Sequence, residues 1–470
     1  MMTKVVKGTM LGGLLIWFSI LNAGQCFADL DFTEHMIRNN FLGTWYVHAV
    51  DMDGDEDIDI VGSARVANSI RWWENDGNQN FTEHVIASGA TLAMHIFAID
   101  VDSDGDIDIM GALDGRAEIA WWENDGSHNF TKHVIVSWPG ANFVYAIDFD
   151  FDNDIDVIAT GCEADPSQMG WLENDGEENF ALHIIKPDWQ RANKAYPEDV
   201  DLDGDLDILA TASLAGDLSW FENDGNMNFT EHLINGSWGR PSCARGADFD
   251  LDGDIDLVAS SCIVSQIAWF ENNGNQGFTR HIIAYGFERP HMVVPADLDN
   301  DGDFDIVATA IDSDIIGWWE NDDLDFIDNS ISTTFDGATG INVIDIDRDG
   351  DLDVVGAAQF GNEICWWESG LITDITEPIP QLPEQTALLG SYPNPFNSST
   401  SIEYYLQTET DVTFNFYDIA GRRVETIYEG IQLSGYNQTT WTADDFPSGV
   451  YFYNLKAGEF TKTKKLSLIK

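Results

Sequence analysis

Asp51-Met52-Asp53-Gly54-Asp55-Glu56-Asp57-Ile58-Asp59 opens a series of seven, with further copies beginning at Asp100, Asp148, Asp199, Asp248, Asp297 and Asp345. Successive copies start 48 to 51 residues apart, and each leads into a run rich in Ile, Val and Leu. Five aspartates in nine residues repel one another, so the loop needs a cation inside it. Hard oxygen ligands on a short flexible loop suit Ca²⁺, which takes six to eight oxygens. In the helical calcium loop, ligands come from positions 1, 3 and 5 and from the carbonyl at 7, with Gly at 6 for the sharp turn. Here the same start is closed by an aspartate at position 9. One copy would pass for a solvated acidic turn; seven in register do not.

At 470 residues, length alone would suggest about three domains, but a period near 49 overrides that prior. The net charge of −60 excludes nucleic acid as a partner and disfavours anionic membranes, since both need a cationic surface. The loops hold 35 aspartates of the 82 acidic residues, so metal ligation accounts for nearly half the acidity. Up to seven structural Ca²⁺ are expected. Lys4 and Lys7, an apolar run from Met10 to Leu21 and the segment ending at Ala28 read as a secretory signal peptide over residues 1–28. No later stretch approaches 18 consecutive apolar residues, so no transmembrane segment is expected. Four cysteines follow Ala28. Cys243 and Cys262 flank the loop at Asp248 and, if that loop joins antiparallel strands, face each other, which permits a disulfide. Cys162 and Cys365 fall in distant repeats and read as buried thiols.

After each acidic loop comes Trp-aromatic-Glu-Asn-Asp-Gly or a close variant, with its first tryptophan at Trp72, Trp121, Trp171, Trp220, Trp269, Trp318 and Trp366. Then follows Phe-Thr-Glu-His-Val-Ile, as at Phe81 to Ile86, repeated from Phe130, Phe180, Phe229 and Phe278 and degenerately from Phe326. Each unit thus offers four short strands: one before the acidic loop, one after it, one with the tryptophans and one with the histidine. Asn-Asp-Gly between the last two is a hairpin signal. Four strands at this period mean a propeller blade. The seventh unit ends after Trp366-Trp367-Glu368 without a fourth strand, whereas Phe32-Thr33-Glu34-His35-Met36-Ile37 is a fourth strand with no unit before it. The fold expected is all-β, a seven-bladed β-propeller over residues 29–370 whose N-terminal strand closes the last blade.

Over that span the tandem loops resemble the FG-GAP and VCBS repeats of calcium-binding propellers. The resemblance implies side-chain ligands at Asp51, Asp53, Asp55 and Asp59, and at Asp100, Asp102, Asp104 and Asp108. It implies the same for Asp148, Asp150, Asp152 and Asp156, and for Asp199, Asp201, Asp203 and Asp207. The last three sets are Asp248, Asp250, Asp252 and Asp256; Asp297, Asp299, Asp301 and Asp305; and Asp345, Asp347, Asp349 and Asp353. Position 7 would contribute its carbonyl. Glu56 and Asn153 stand where Gly is expected; Glu in a left-handed conformation costs about 1 kcal/mol or more, which singles out the first loop.

Residues 371–388 contain Thr376-Glu377-Pro378-Ile379-Pro380-Gln381-Leu382-Pro383 and read as a stiff linker. Beyond it, residues 389–470 alternate in short runs, as expected of a small immunoglobulin-like β-sandwich. Ser391-Tyr392-Pro393-Asn394-Pro395-Phe396-Asn397, Ile419-Ala420-Gly421-Arg422-Arg423-Val424, Ser448 to Leu455 and the basic end Lys462-Thr463-Lys464-Lys465 resemble the C-terminal sorting domain of the type IX secretion system. That resemblance implies the type IX machinery as a partner, passage across an outer membrane and an extracellular or cell-surface destination.

Six histidines at one repeat position, His35, His84, His133, His183, His232 and His281, read as scaffold, because catalysis needs one convergent cluster. Phe41, Ala90, Trp138, Trp189, Trp238, Phe287 and Phe335 recur ten residues before each acidic loop, which also favours a structural role. Arginine does not repeat. Trp189-Gln190-Arg191, Trp238-Gly239-Arg240 and Phe287-Glu288-Arg289 fall in consecutive units, with Lys194, Arg245 and His291 nearby. Arg forks suit carboxylate, sulfate or phosphate, and aromatic faces suit sugar rings, so these nine residues form a candidate ligand site; pairing of each Arg with a nearby carboxylate is the alternative. No nucleophile motif, phosphate loop or zinc spacing stands out. The function expected is binding of an extracellular glycan or surface protein, and the alternative is a polysaccharide lyase or hydrolase on the same scaffold.

Overall fold

A computed structural model describes residues 30–468, apart from 163–166, 323, 371–385, 393–395, 397–398, 409, 420–421, 433–434, 444–445 and 459. The signal-peptide reading, most of the linker and parts of the sorting motifs lie outside the described residues. The chain divides into two compact units, Met1–Ile372 and Thr373–Lys470.

The first unit is built from seven four-stranded antiparallel sheets. Sheet one consists of Thr44–Val50, Asp59–Ala64, Ser69–Asn75 and Phe81–Ser88, with the acidic loop between its first two strands and the Asn-Asp-Gly turn between its last two. Sheets two to six repeat that order. Sheet seven takes Ala338–Ile344, Asp353–Ala358 and Glu363–Gly370 from the end of the unit and Asp31–Arg38 from its start. Phe32 pairs with Ser369 and His35 with Trp366, so the N-terminal strand fills the missing fourth place. The first strand of every sheet touches the first strands of both neighbouring sheets, and Thr44–Val50 meets Ala338–Ile344; the seven first strands therefore form a closed cycle.

Burial follows position in the sheet. Every second strand, such as Asp59–Ala64, is buried along its whole length, as a strand covered by neighbours on both faces must be. Fourth strands are the outermost and alternate with solvent. The paired aromatics of the third strand point to opposite faces. In five sheets the second of the pair meets the aromatic of the preceding connection edge to face: Phe41 on Trp73 at 5.3 Å, Trp189 on Phe221 at 5.5 Å, Trp238 on Phe270 at 5.4 Å, Phe287 on Trp319 at 5.1 Å and Phe335 on Trp367 at 4.8 Å. Such pairs contribute about 0.5–1.5 kcal/mol beyond their buried area. The near-complete aromatic ring of the sequence is thus packing between strands.

The four described cysteines are free thiols, so the disulfide that the sequence left open between Cys243 and Cys262 is not formed. Across the hairpin Cys243 pairs with Ser260 instead. Its Sγ lies 3.8 Å from the Val293 carbonyl, whereas Cys262 Sγ lies 3.3 Å from that of Pro290, so the two sulfurs contact different parts of the next sheet.

The second unit holds a three-stranded sheet, Ala387–Tyr392, Ser399–Leu406 and Gly435–Thr442, and a four-stranded sheet, Arg423–Gln432, Thr410–Asp418, Gly449–Ala457 and Phe460–Leu468. Both contribute to one core, where Trp441 of the first stacks on Phe416 of the second at 4.3 Å. Among the described residues no helix is long and apolar enough to cross a membrane.

Candidate metal centre

Each acidic loop is wound by its own carboxylates. Asp51 Oδ1 accepts the Gly54 N–H and its Oδ2 the Glu56 N–H, both at 2.9 Å. Asp100 does the same for Asp104 and Gly105, and Asp199, Asp248 and Asp297 repeat the arrangement. Positions 4 and 6 both take positive φ, Gly54 at 74° and Glu56 at 78°, Phe151 at 62° and Asn153 at 78°. Glu56 therefore occupies the strained conformation that five sister loops give to Gly.

The ninth position has a second task that sequence reasoning missed. Asp59 is fully buried, and its Oδ2 accepts the Met52 N–H at 2.9 Å while Oδ1 accepts the Asn75 N–H at 2.7 Å. Asp108, Asp156, Asp207, Asp305 and Asp353 make the same two bonds. This carboxylate staples the loop to the third strand. Asn75 completes the staple: its Nδ2 donates to the Ile58 carbonyl at 3.2 Å and its Oδ1 accepts from Gly77 and Gln79. Gly77 is required as Gly, because φ is +70 to +76° at these turns and a Cβ there would sit 2.5 Å from Asp57 Oδ2. Acidic loops and the turns between third and fourth strands consequently share one end of sheets one to six.

The electrostatics are those of a site lacking positive charge. Burial, opposed by the two backbone bonds, pushes Asp59, Asp108, Asp156, Asp207, Asp305 and Asp353 up to about 7, and Asp256 up to about 6. Burial first, then the neighbouring carboxylates, Asp104 and Glu123 among them, also raises Asp102. Oxygens of Asp51, Asp53 and Asp59 lie within 4.8 Å of one another, as do those of Asp148, Asp150 and Asp152. Oxygens on opposite sides of Ca²⁺, each at about 2.3–2.6 Å, would stand about that far apart. Among the described residues, buried Oδ1 atoms of Asp148, Asp150, Asp303 and Asp345 accept no hydrogen bond, an expensive state that a divalent cation would relieve. The residues fit Ca²⁺.

The nine candidate ligand-site residues do not converge on one surface. Trp189, Trp238 and Phe287 are buried in the packing described above. Lys194 is buried too, its Nζ donating to the carbonyls of Ser242 at 3.2 Å and His291 at 2.8 Å. Arg245 faces Glu198 at 3.4 Å and lies 4.3 Å over the Tyr196 ring. Lys194, Arg245 and His291 thus belong to the first strands of sheets four, five and six, whereas Arg191, Arg240 and Arg289 sit in the connections outside them. There Arg289 pairs with Asp312 at 3.2 Å, as the simpler alternative foresaw, and Arg240 is exposed.

The FG-GAP-like repeat profile matches residues 51–111, 100–159, 199–259, 248–308 and 297–356, together more than half the chain. A secretion system C-terminal sorting domain matches residues 391–470. That domain marks export by the type IX system to the cell surface or extracellular space, and it implies contact with the type IX machinery. No curated protein matches the chain. Similar solved structures include a protein from Lactobacillus plantarum, 14% identical with a TM-score of 0.47, covering 63% of this chain and 86% of that one. Another is PorZ, described as an essential bacterial surface component of the type IX secretion system of Porphyromonas gingivalis. It is 12% identical with a TM-score of 0.44, over 88% of this chain and 58% of that one. A third, a putative gluconolactonase, is 11% identical with a TM-score of 0.39, over 72% and 92%.

Proposed function

This chain belongs to the family of FG-GAP-like repeat proteins, and from that premise we propose that it is a seven-bladed, calcium-stabilised β-propeller that binds an extracellular glycan or surface protein. Export is the task of the C-terminal unit, an immunoglobulin-like sandwich in this reading. The observation that carries the calcium role is the seven-fold recurrence of carboxylate loops at one end of the sheets, several with buried oxygens that accept nothing. Each Ca²⁺ binds the folded loop and not the unfolded chain, so it stabilises the fold by mass action.

Ligand binding falls to the opposite end, where the connections into each first strand lie and the repeat is broken. Exposed Arg240 and half-buried Arg191 stand there beside the buried aromatics of their own connections. A glycan array probed with residues 29–370 and calcium should give discrete hits, and Arg191→Ala with Arg240→Ala should weaken capture while leaving thermal stability nearly unchanged. Capture unaltered in the double variant would remove this face from the account. Release of ultraviolet-absorbing unsaturated products from acidic polysaccharides would replace binding by lyase chemistry.

A further inference from the structure

In six sheets the glutamate two places after the first tryptophan of the third strand is clamped by the histidine of the fourth strand. His84 Nε2 and Glu74 Oε2 lie 2.7 Å apart, and the pairs His35–Glu368, His133–Glu123, His183–Glu173, His232–Glu222 and His281–Glu271 span 2.6 to 2.8 Å. Each imidazole is in turn stacked on the first tryptophan, with centroids 4.5 Å apart for His35 on Trp366 and 4.8 Å for His133 on Trp121. Tryptophan fixes the ring, the ring fixes Oε2, and Oε1 of these glutamates has no protein partner among the described residues. A free-standing surface pair does not need such support, since exposed ion pairs contribute little to stability.

The clamp faces the metal loop. Glu123 and His133 line a groove of about 620 Å³ together with Asp102, the third residue of their own loop. One sheet on, Glu173 and His183 share a groove of about 800 Å³ with Asp150, again the third residue. Four aspartates and one carbonyl give a loop five oxygens, and the ninth aspartate already spends both of its oxygens on backbone N–H groups. Ca²⁺ asks for six to eight.

We propose that the clamped glutamate supplies a further carboxylate oxygen to the cation of its own sheet, and that the stacked histidine is the positioning residue that aims it. This rests on the calcium reading and adds a ligand from outside the nine-residue loop. Sheet six is the exception that nature provides: Asn329 replaces the histidine, and its Nδ2 stands 3.5 Å from Glu320 Oε2.

The test counts calcium on the full chain by native mass spectrometry across a titration of free calcium. Glu123→Gln keeps shape and removes charge; it should weaken one binding step by about 10–100-fold and leave the others in place. His133→Gln should weaken the same step while the melting temperature in saturating calcium stays at the wild-type value, which a merely structural histidine would not allow. Glu222→Gln, the same change two sheets on, repeats the measurement should the first variant fold poorly. Steps that match wild type in both Glu123→Gln and Glu222→Gln, while Asp102→Asn loses one, would overturn the proposal and spare the calcium reading. An unchanged Asp102→Asn would overturn both.

Discussion

Asp59 shows what one side chain must reconcile in every loop: full burial, two backbone bonds and a negative charge. Removing such a group leaves two N–H donors without acceptors, each costing about 1–3 kcal/mol. Asp207→Ala is therefore expected to lower stability by about 2–5 kcal/mol even in saturating calcium, read as a shift in the urea midpoint. Glu56 presents the opposite case. Its φ of 78° is a left-handed conformation in a residue with a Cβ, and Glu56→Gly should raise stability by about 1 kcal/mol in the same assay. The sequence marked Glu56 as the odd residue because five sister loops carry Gly there. It could not reveal the staple, because a ligand and a backbone acceptor are written with the same letter.

At the level of strands, the N-terminal segment is the closing piece of sheet seven. Asp31–Arg38 covers Glu363–Gly370, and His35 stacks on Trp366 at 4.5 Å. Deleting residues 30–38 would uncover an unpaired strand edge beside Cys365 and Trp366, and exposed edges pair with other chains. The truncated protein should run as oligomers or aggregates in size-exclusion chromatography, where the full chain elutes as a discrete species. This closure was legible from the sequence, since a fourth strand without a unit and a unit without a fourth strand complete each other. The arginine cluster was misleading for a physical reason. Sequence spacing placed Lys194, Arg245 and His291 beside Arg191, Arg240 and Arg289, but strand and connection point them into different surroundings. Periodicity reports which positions are equivalent, not which way a side chain in a broken repeat turns.

Across the whole molecule, the seven ninth-place aspartates set the pH response of the calcium-free protein. Burial lifts them to about 6–7, above the ordinary value near 3.9 of an unfolded chain. A raised carboxylate favours the protonated folded form, so its stabilisation is complete below pH of about 4 and is lost as pH rises through about 7. His48, pushed down to about 4 by burial, and His95 and His291, lowered by burial and by the nearby Lys194 charge, act in the other direction, but they are fewer. Calcium-stripped protein should therefore melt higher at pH 5 than at pH 8. Excess calcium should reverse that order, because the metal takes the ionised ligands.

Thermal melting at pH 7.5 of one preparation, first stripped with a chelator and then resupplied with calcium, tests the central claim most directly. Bound calcium at a hundred times its dissociation constant contributes about 2.7 kcal/mol per site, so the stripped protein should melt many degrees lower and recover fully on addition of calcium. Superimposable curves with and without the ion would contradict the account.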